Sequence, residues 1–203
     1  VFWRTEPSGF WKKWEEPHLA ENLYCLGADV AEGIAVVPEL GNRGGDFSAA
    51  RVFKRDSREF VATFHARVDP DLFAEEIEKA SLYWKMPVFP EQNAGGGGNL
   101  VIARLKDAGV NVLKTPVFGK KREMSKLDEV GWETMKNTKR VMIDEMTEAI
   151  RESSYTDPDK ETWYECSTYV RDEKGRTNAQ PRKYDDLVMA TAITLQADKL
   201  MPA

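Results

Sequence analysis

Seven residues, Tyr24-Cys25-Leu26-Gly27-Ala28-Asp29-Val30, form a short apolar run with one acid near its end. Such a run suits a central β-strand buried on both faces. A strand of that kind needs partners beside it and cover above and below, which commits the chain to a layered arrangement. The last helical segment, about residues 185–199, imposes the same demand. It is apolar nearly all round (Leu187, Val188, Ala190, Ala192, Ile193, Leu195) and must be buried. With 203 residues, the chain is long enough for one domain with a sizeable core.

The remaining segments arrange themselves around these two. Residues 1–22 are rich in Trp, Pro and Glu and show no clear period, so they read as a tail or linker. The chain begins without methionine and reads as a piece of a larger protein. Residues 31–45 carry Gly33, Pro38, Gly41, Gly44 and Gly45 and predict a loop or loose hairpin. Phe47–Lys54 and Phe60–Arg67 read as strands joined by the polar turn Arg55-Asp56-Ser57-Arg58. Together with the first strand they form a meander of three antiparallel strands.

Asp69-Pro70 opens a helix, with Phe73, Ile77, Ala80 and Trp84 on one face. Pro87–Glu91 is a short strand ending in an acid. A glycine run leads to a helix over 100–108 that Gly109 stops. Val110–Leu113 reads as another strand, 115–131 as a basic loop, and Trp132–Arg151 as an amphipathic helix. A second hairpin falls around Val170, Gly175 and Gln180. The order predicts an α/β fold: three antiparallel strands, then parallel βα units in one mixed sheet, with helices on both faces.

Composition narrows the chemistry. No segment reaches the roughly 18 consecutive apolar residues of a membrane helix. The opening residues are polar and aromatic, unlike a signal peptide. Cys25 and Cys166 fit no metal-knuckle spacing and read as buried free thiols. Having only His18 and His65 argues against a His-rich zinc site and against most Ser-His or Cys-His triads. The net charge of −5 runs against DNA binding at first sight. A carboxylate cluster that binds cations would reverse the local sign.

Three acidic positions mark such a cluster. Asp29 ends the first strand, Glu91 ends the fourth, and Asp185 and Asp186 begin the final helix. If the first and fourth strands are parallel neighbours, Asp29 and Glu91 meet at their carboxyl ends, where open α/β sheets place their ligands. Carboxylates without histidine or thiolate make an all-oxygen site, which hard Mg²⁺ or Mn²⁺ prefers. Two such ions about 3.5–4 Å apart can clamp the attacking and leaving oxygens of a phosphoryl displacement. Taken singly, each acid also has a plain role: Asp29 as a turn residue, the Asp pair as a helix N-cap.

Several motifs resemble tailed-phage large terminases. Leu26-Gly27-Ala28-Asp29-Val30-Ala31-Glu32-Gly33 with Gly45-Asp46-Phe47-Ser48-Ala49 is similar to their first nuclease motif. Glu91-Gln92-Asn93 resembles the second, and Lys183-Tyr184-Asp185-Asp186-Leu187-Val188-Met189-Ala190 the third. Gly131-Trp132, Thr138-Lys139-Arg140 and Trp14-Glu15-Glu16-Pro17 fit the stretches between and before them, so the resemblance covers nearly the whole chain.

The resemblance implies an RNase H-like nuclease domain over 23–203, with 1–22 a linker from an ATPase domain. It implies two divalent metal ions, Mg²⁺ or Mn²⁺, with Asp29 bridging and Glu91 and Asp185 or Asp186 completing the site. Either member of the Asp pair can be the ligand. Tyr184 stands where many relatives carry histidine, so an all-carboxylate site is expected. The implied activity is sequence-nonspecific cutting of concatemeric viral double-stranded DNA during packaging. The implied partners are the ATPase motor, the portal protein and the small terminase subunit. The implied location is the procapsid portal vertex in the host bacterial cytoplasm, away from any membrane, and the isolated domain is expected to be a monomer.

No G-x-x-x-x-G-K-[ST] element occurs, and Gly95-Gly96-Gly97-Gly98-Asn99 lacks the lysine, so no ATP hydrolysis is expected. Lys120, Lys121 and Arg122, with Lys139 and Arg140, are the candidate phosphate contacts. Two other readings remain open: a junction-resolvase-type nuclease of the same superfamily, and a non-catalytic DNA-gripping or docking module in which the acids are caps.

Overall fold

The computed structural model describes residues 9–18, 20–31, 46–92, 97–114, 130–173 and 175–202. Its frame is a six-stranded mixed sheet in the order β1 (Trp11–Lys13), β4 (Glu59–Ala66), β3 (Ser48–Lys54), β2 (Tyr24–Asp29), β5 (Val88–Gln92) and β6 (Trp132–Glu133). The expected meander is present: β2 (Tyr24–Asp29), β3 (Ser48–Lys54) and β4 (Glu59–Ala66) pair antiparallel in sequence order. After helix α1 (Pro70–Trp84), strand β5 (Val88–Gln92) returns parallel to β2, pairing Leu26 with Val88 and Ala28 with Pro90. β2 is therefore central, and its apolar run is buried from Tyr24 to Ala28, as its composition required.

Alternation along β2 sorts the two layers. Tyr24, Leu26 and Ala28 face a core shared with Phe73, Ile77, Ala80 and Trp84 of α1, and with Val101 and Leu105 of α2 (Gly97–Asp107). Cys25 faces the opposite core, which holds Met142 and Met146 of α3 (Lys136–Arg151) and Val188, Ala192 and Ile193 of α5 (Asp186–Leu200). Gly27 lies on that second face too. A Cβ there would fall 2.4 Å from the backbone nitrogen of Thr194, so glycine is what lets α5 lie directly on β2. Its own N–H donates to Thr194 Oγ1 at 3.1 Å.

Four expectations need correction. Trp11–Lys13, inside the segment expected to lack regular structure, forms strand β1 on the edge of β4. Three residues are too few to show a period, and Trp11 is held by ring packing on Phe64. Val110–Leu113 is reduced to a single parallel bridge between Val112 and Val88. Trp132 does not begin a helix: Trp132–Glu133 is strand β6, parallel to β5, and α3 starts at Lys136. The start is fixed by Thr138, whose hydroxyl accepts the Met135 N–H at 2.7 Å. A fourth helix, α4 (Lys160–Thr168), was not anticipated, because its buried side chains include only Thr162 and Glu165 and leave no apolar stripe to read.

The second hairpin is present as β7 (Tyr169–Arg171) and β8 (Thr177–Ala179). Within the glycine run, Gly97 opens α2 against the Ala31 carbonyl, 2.4 Å from where a Cβ would stand. The anticipated loops at 32–45 and 115–129 lie outside the described residues. Both cysteines are free. No helix among the described residues is long and apolar enough to cross a membrane.

Candidate metal centre

The sheet register aligns the site before any side chain is considered. Asp29 of β2 pairs with Ala49 of β3, and Ala49 pairs with His65 of β4. Glu91 is one residue beyond the Ala28–Pro90 partners, level with Asp29 on the neighbouring parallel strand. Adjacent strands are about 4.8 Å apart, so Asp29 and Glu91 are within contact distance on one face. That face is the one α5 covers, and Asp185 and Asp186 stand at the start of α5.

Asp29 and Glu91 thus meet at the strand ends, whereas among the described residues the ligand atoms spaced to hold one ion are those of His65, Glu165 and Asp186. The Asp29 and Glu91 side chains hydrogen-bond to each other. Burial raises the Asp29 pKa well above the usual carboxylate range, and repulsion from Glu91, Asp186 and Asp185 adds to the shift. Two carboxyls can share such a contact only if a proton or a cation lies between them. Burial likewise raises Asp185, while Lys139, 3.8 Å from its Oδ2, opposes the shift.

The capping role that would make the Asp pair merely structural belongs to another residue. Asp185, at the N-cap, makes no side-chain cap bond. Instead Glu165 of α4 reaches across, and its Oε2 accepts the N–H groups of Leu187 at 2.8 Å and Val188 at 3.3 Å. The first turn of α5 is satisfied from outside, and Asp186 is released. Asp186 is 9 % exposed, and its Oδ2 is buried without a hydrogen-bond partner.

Glu165 and His65 are the site residues that sequence reasoning missed. His65 Nε2 lies 3.9 Å from Asp186 Oδ2 and 3.9 Å from Glu165 Oε1. One ligand atom from each of the three lies within 4.8 Å of the others. Beside the expected carboxylates, a histidine approaches Asp186 from β4 rather than from position 184. Tyr184 lies nearby instead, donating no imidazole but accepting Arg67 at its hydroxyl, 3.0 Å away. Burial pushes the Glu165 pKa up to about 7, against the attraction of His65.

Among the expected phosphate contacts, Lys139 sits at the site, against Asp185 and Asn178 of β8. Arg140 points into solvent and pairs with Asp144 at 3.6 Å. Lys120, Lys121 and Arg122 lie outside the described residues. Arg67, stacked 4.2 Å over the Phe47 ring, and Lys183, over Tyr164, add cations to the rim.

Solved structures share this arrangement of strands and helices. The large terminase nuclease from thermophilic phage G20c, crystallised with magnesium, superposes at a TM-score of 0.67 and 18 % identity, over 94 % of this chain and 89 % of that one. Its cobalt-bound form gives 0.69 at 18 % identity and the same coverage. The chain has the large-terminase nuclease fold. The large terminase nuclease domain of Thermus phage P74-26 agrees, at 0.63 and 19 % identity over 93 % of this chain and 86 % of that one. No protein-family model and no curated protein matches the chain. The mixed α/β fold expected from the sequence is therefore what the chain adopts, with Asp29 and Glu91 at the carboxyl ends of β2 and β5.

Proposed function

We propose that the chain is the nuclease domain of a tailed-phage or prophage large terminase subunit, hydrolysing DNA phosphodiester bonds with two divalent ions. The observation that carries this reading is the hydrogen-bonded Asp29–Glu91 pair meeting an Asp pair that Glu165 has relieved of capping. The likeness to nucleases solved with magnesium and cobalt supports it. The donor set fits the ions: Asp29, Glu91, Asp185 and Asp186 offer only oxygen, and the buried Asp186 Oδ2 lacks a partner.

When bound, divalent ions supply Lewis-acid stabilisation of the attacking and leaving oxygens and a water of lowered pKa. The chain supplies the geometry. Asp29 is held by the β2–β3–β5 ladder, and Asp186 by the first turn of α5. Lys139, Arg67 and Lys183 would meet phosphates on the rim, and Lys120, Lys121, Arg122 and Arg140 would extend that track. Contacts made to phosphates alone carry no base information, so cutting guided by them would be sequence-nonspecific. In the full protein, residues 1–22 would lead from an ATPase motor. The portal protein and small subunit would then bring the domain to concatemeric DNA at the procapsid in the host cytoplasm.

A plasmid assay with Mn²⁺, Mg²⁺ or EDTA tests the reading. Wild type should nick and linearise with metal and stop with EDTA, and Asp29→Asn should lose both products. Equal cutting in EDTA, or full activity in Asp29→Asn, would overturn it. Preference for four-way junctions over plain duplex would point to a resolvase.

A further inference from the structure

We propose that His65, Glu165 and Asp186 form a second cation site, sharing Asp186 with the carboxylate centre and suited to a borderline transition ion such as Zn²⁺ or Co²⁺, beside the Asp29–Glu91 pair. The proposal does not require the chain to be a nuclease. His65 and Glu165 each have one polar atom facing a protein group and another facing the other two side chains. His65 Nδ1 lies 3.7 Å from Glu161 Oε2. Glu165 commits Oε2 to the Leu187 and Val188 N–H groups. Left facing one another are His65 Nε2, Glu165 Oε1 and Asp186 Oδ2. Of these, the first and last are buried without a hydrogen-bond partner.

A carboxylate behind the second ring nitrogen is the arrangement that orients a metal-bound histidine. Glu161 is itself anchored by Lys12 at 2.7 Å, and the Phe47 ring packs on the imidazole at 4.4 Å. The spacing is close to a coordination sphere. Bonds of about 2.0–2.1 Å at tetrahedral angles place ligand atoms about 3.4 Å apart. The two 3.9 Å separations from His65 need to close by only about half an ångström to reach that spacing. The imidazole sets the preference: it suits Zn²⁺ and Co²⁺, whereas Mg²⁺ favours the all-oxygen pair next door.

Long-range ¹H–¹⁵N spectra of the imidazole rings of the whole 203-residue chain test this, with His18, the only other histidine, as an internal control. Zn²⁺ should shift His65 Nε2 and leave His18 in place, whereas Mg²⁺ should shift neither. The shift should survive in Asp29→Asn, which separates this site from the nuclease reading. Glu165→Gln, whose amide oxygen can still accept both backbone N–H groups, should weaken Zn²⁺ binding roughly tenfold or more without lowering its melting temperature. If His65 titrates with pH yet ignores saturating Zn²⁺, it is an imidazolium bridging two carboxylates, and the proposal is wrong. Equal shifts of both rings, or loss of the response in Asp29→Asn, would overturn it as well.

Discussion

Replacing Gly27 with alanine should do more damage than any one-carbon change elsewhere in β2. The added Cβ would stand 2.4 Å from Thr194 N, 2.5 Å from Thr194 Oγ1 and 2.6 Å from Thr194 Cα. Two of these atoms are backbone, so no rotamer change can make room. Helix α5 would have to lift from the sheet, stretching the 3.1 Å bond from Gly27 N–H to Thr194 Oγ1. Overpacking of this kind costs about 1–3 kcal/mol, and the strained hydrogen bond about 1 more. A total near 3 kcal/mol corresponds to a fall in Tm of ~6–12 °C for a domain of this size. Urea and thermal denaturation of Gly27→Ala would read it. Because Asp186 rides on α5, metal-dependent nicking should also fall at temperatures where the variant is still folded. Thr194→Ala should not rescue it, since only the hydroxyl contact is removed. A Tm loss under ~2 °C, or full rescue by Thr194→Ala, would refute the idea that backbone contact between β2 and α5 sets the position of the site.

Other outcomes follow from the same packing. Arg51 and Asp157 form a fully buried ion pair at 2.7 Å. Asp157→Ala would strand the guanidinium and should cost about 3–5 kcal/mol in urea unfolding; a loss below about 1 kcal/mol would mean water reaches Arg51. In the metal-free chain, burial pushes Glu165 up to about 7 from an ordinary value of 4.5. The folded state therefore holds a proton that the unfolded state releases, and this contribution to stability is lost as pH rises from about 4.5 through 7. Melting curves in EDTA should show wild type losing more stability than Glu165→Gln across that window, and parallel curves would contradict the assignment. Substituting Lys120, Lys121 and Arg122 together by alanine should reduce the slope of log DNA affinity against log salt by about 2.7. An unchanged slope would remove that cluster from the DNA track.

Asp29, Glu91, Asp185 and Asp186 were legible as candidates because each stands at a place the chain marks locally. Two end strands that composition defines, and the pair opens a helix that must be buried. The parallel pairing of β2 with β5 was legible for a similar reason, since a helix between two strands returns the chain in the same direction. Trp132 was misjudged because an apolar residue before an amphipathic helix extends the helical pattern equally well. Only its pairing with Glu91 makes it a strand residue.

His65 shows where local reading ends. Phe60 belongs to the α5 face, and simple alternation from Phe60 would send His65 to the opposite face. The register between β3 and β4 shifts at Val52 and Phe53, so Phe53 pairs with Phe60 while Val52 pairs with Ala62. That extra residue reverses the parity of the rest of β4, turning Phe64 toward α1 and His65 toward α5. Glu165 depends on tertiary structure still more, because its carboxylate caps a helix 22 positions away in sequence. The sequence by itself determined the layers, the central strand and the acids at its mouth, since burial and period are written residue by residue. The imidazole and the outside cap were decided only by a bulge and by the docking of α4 on α5, which are contacts between segments that carry no mark of each other.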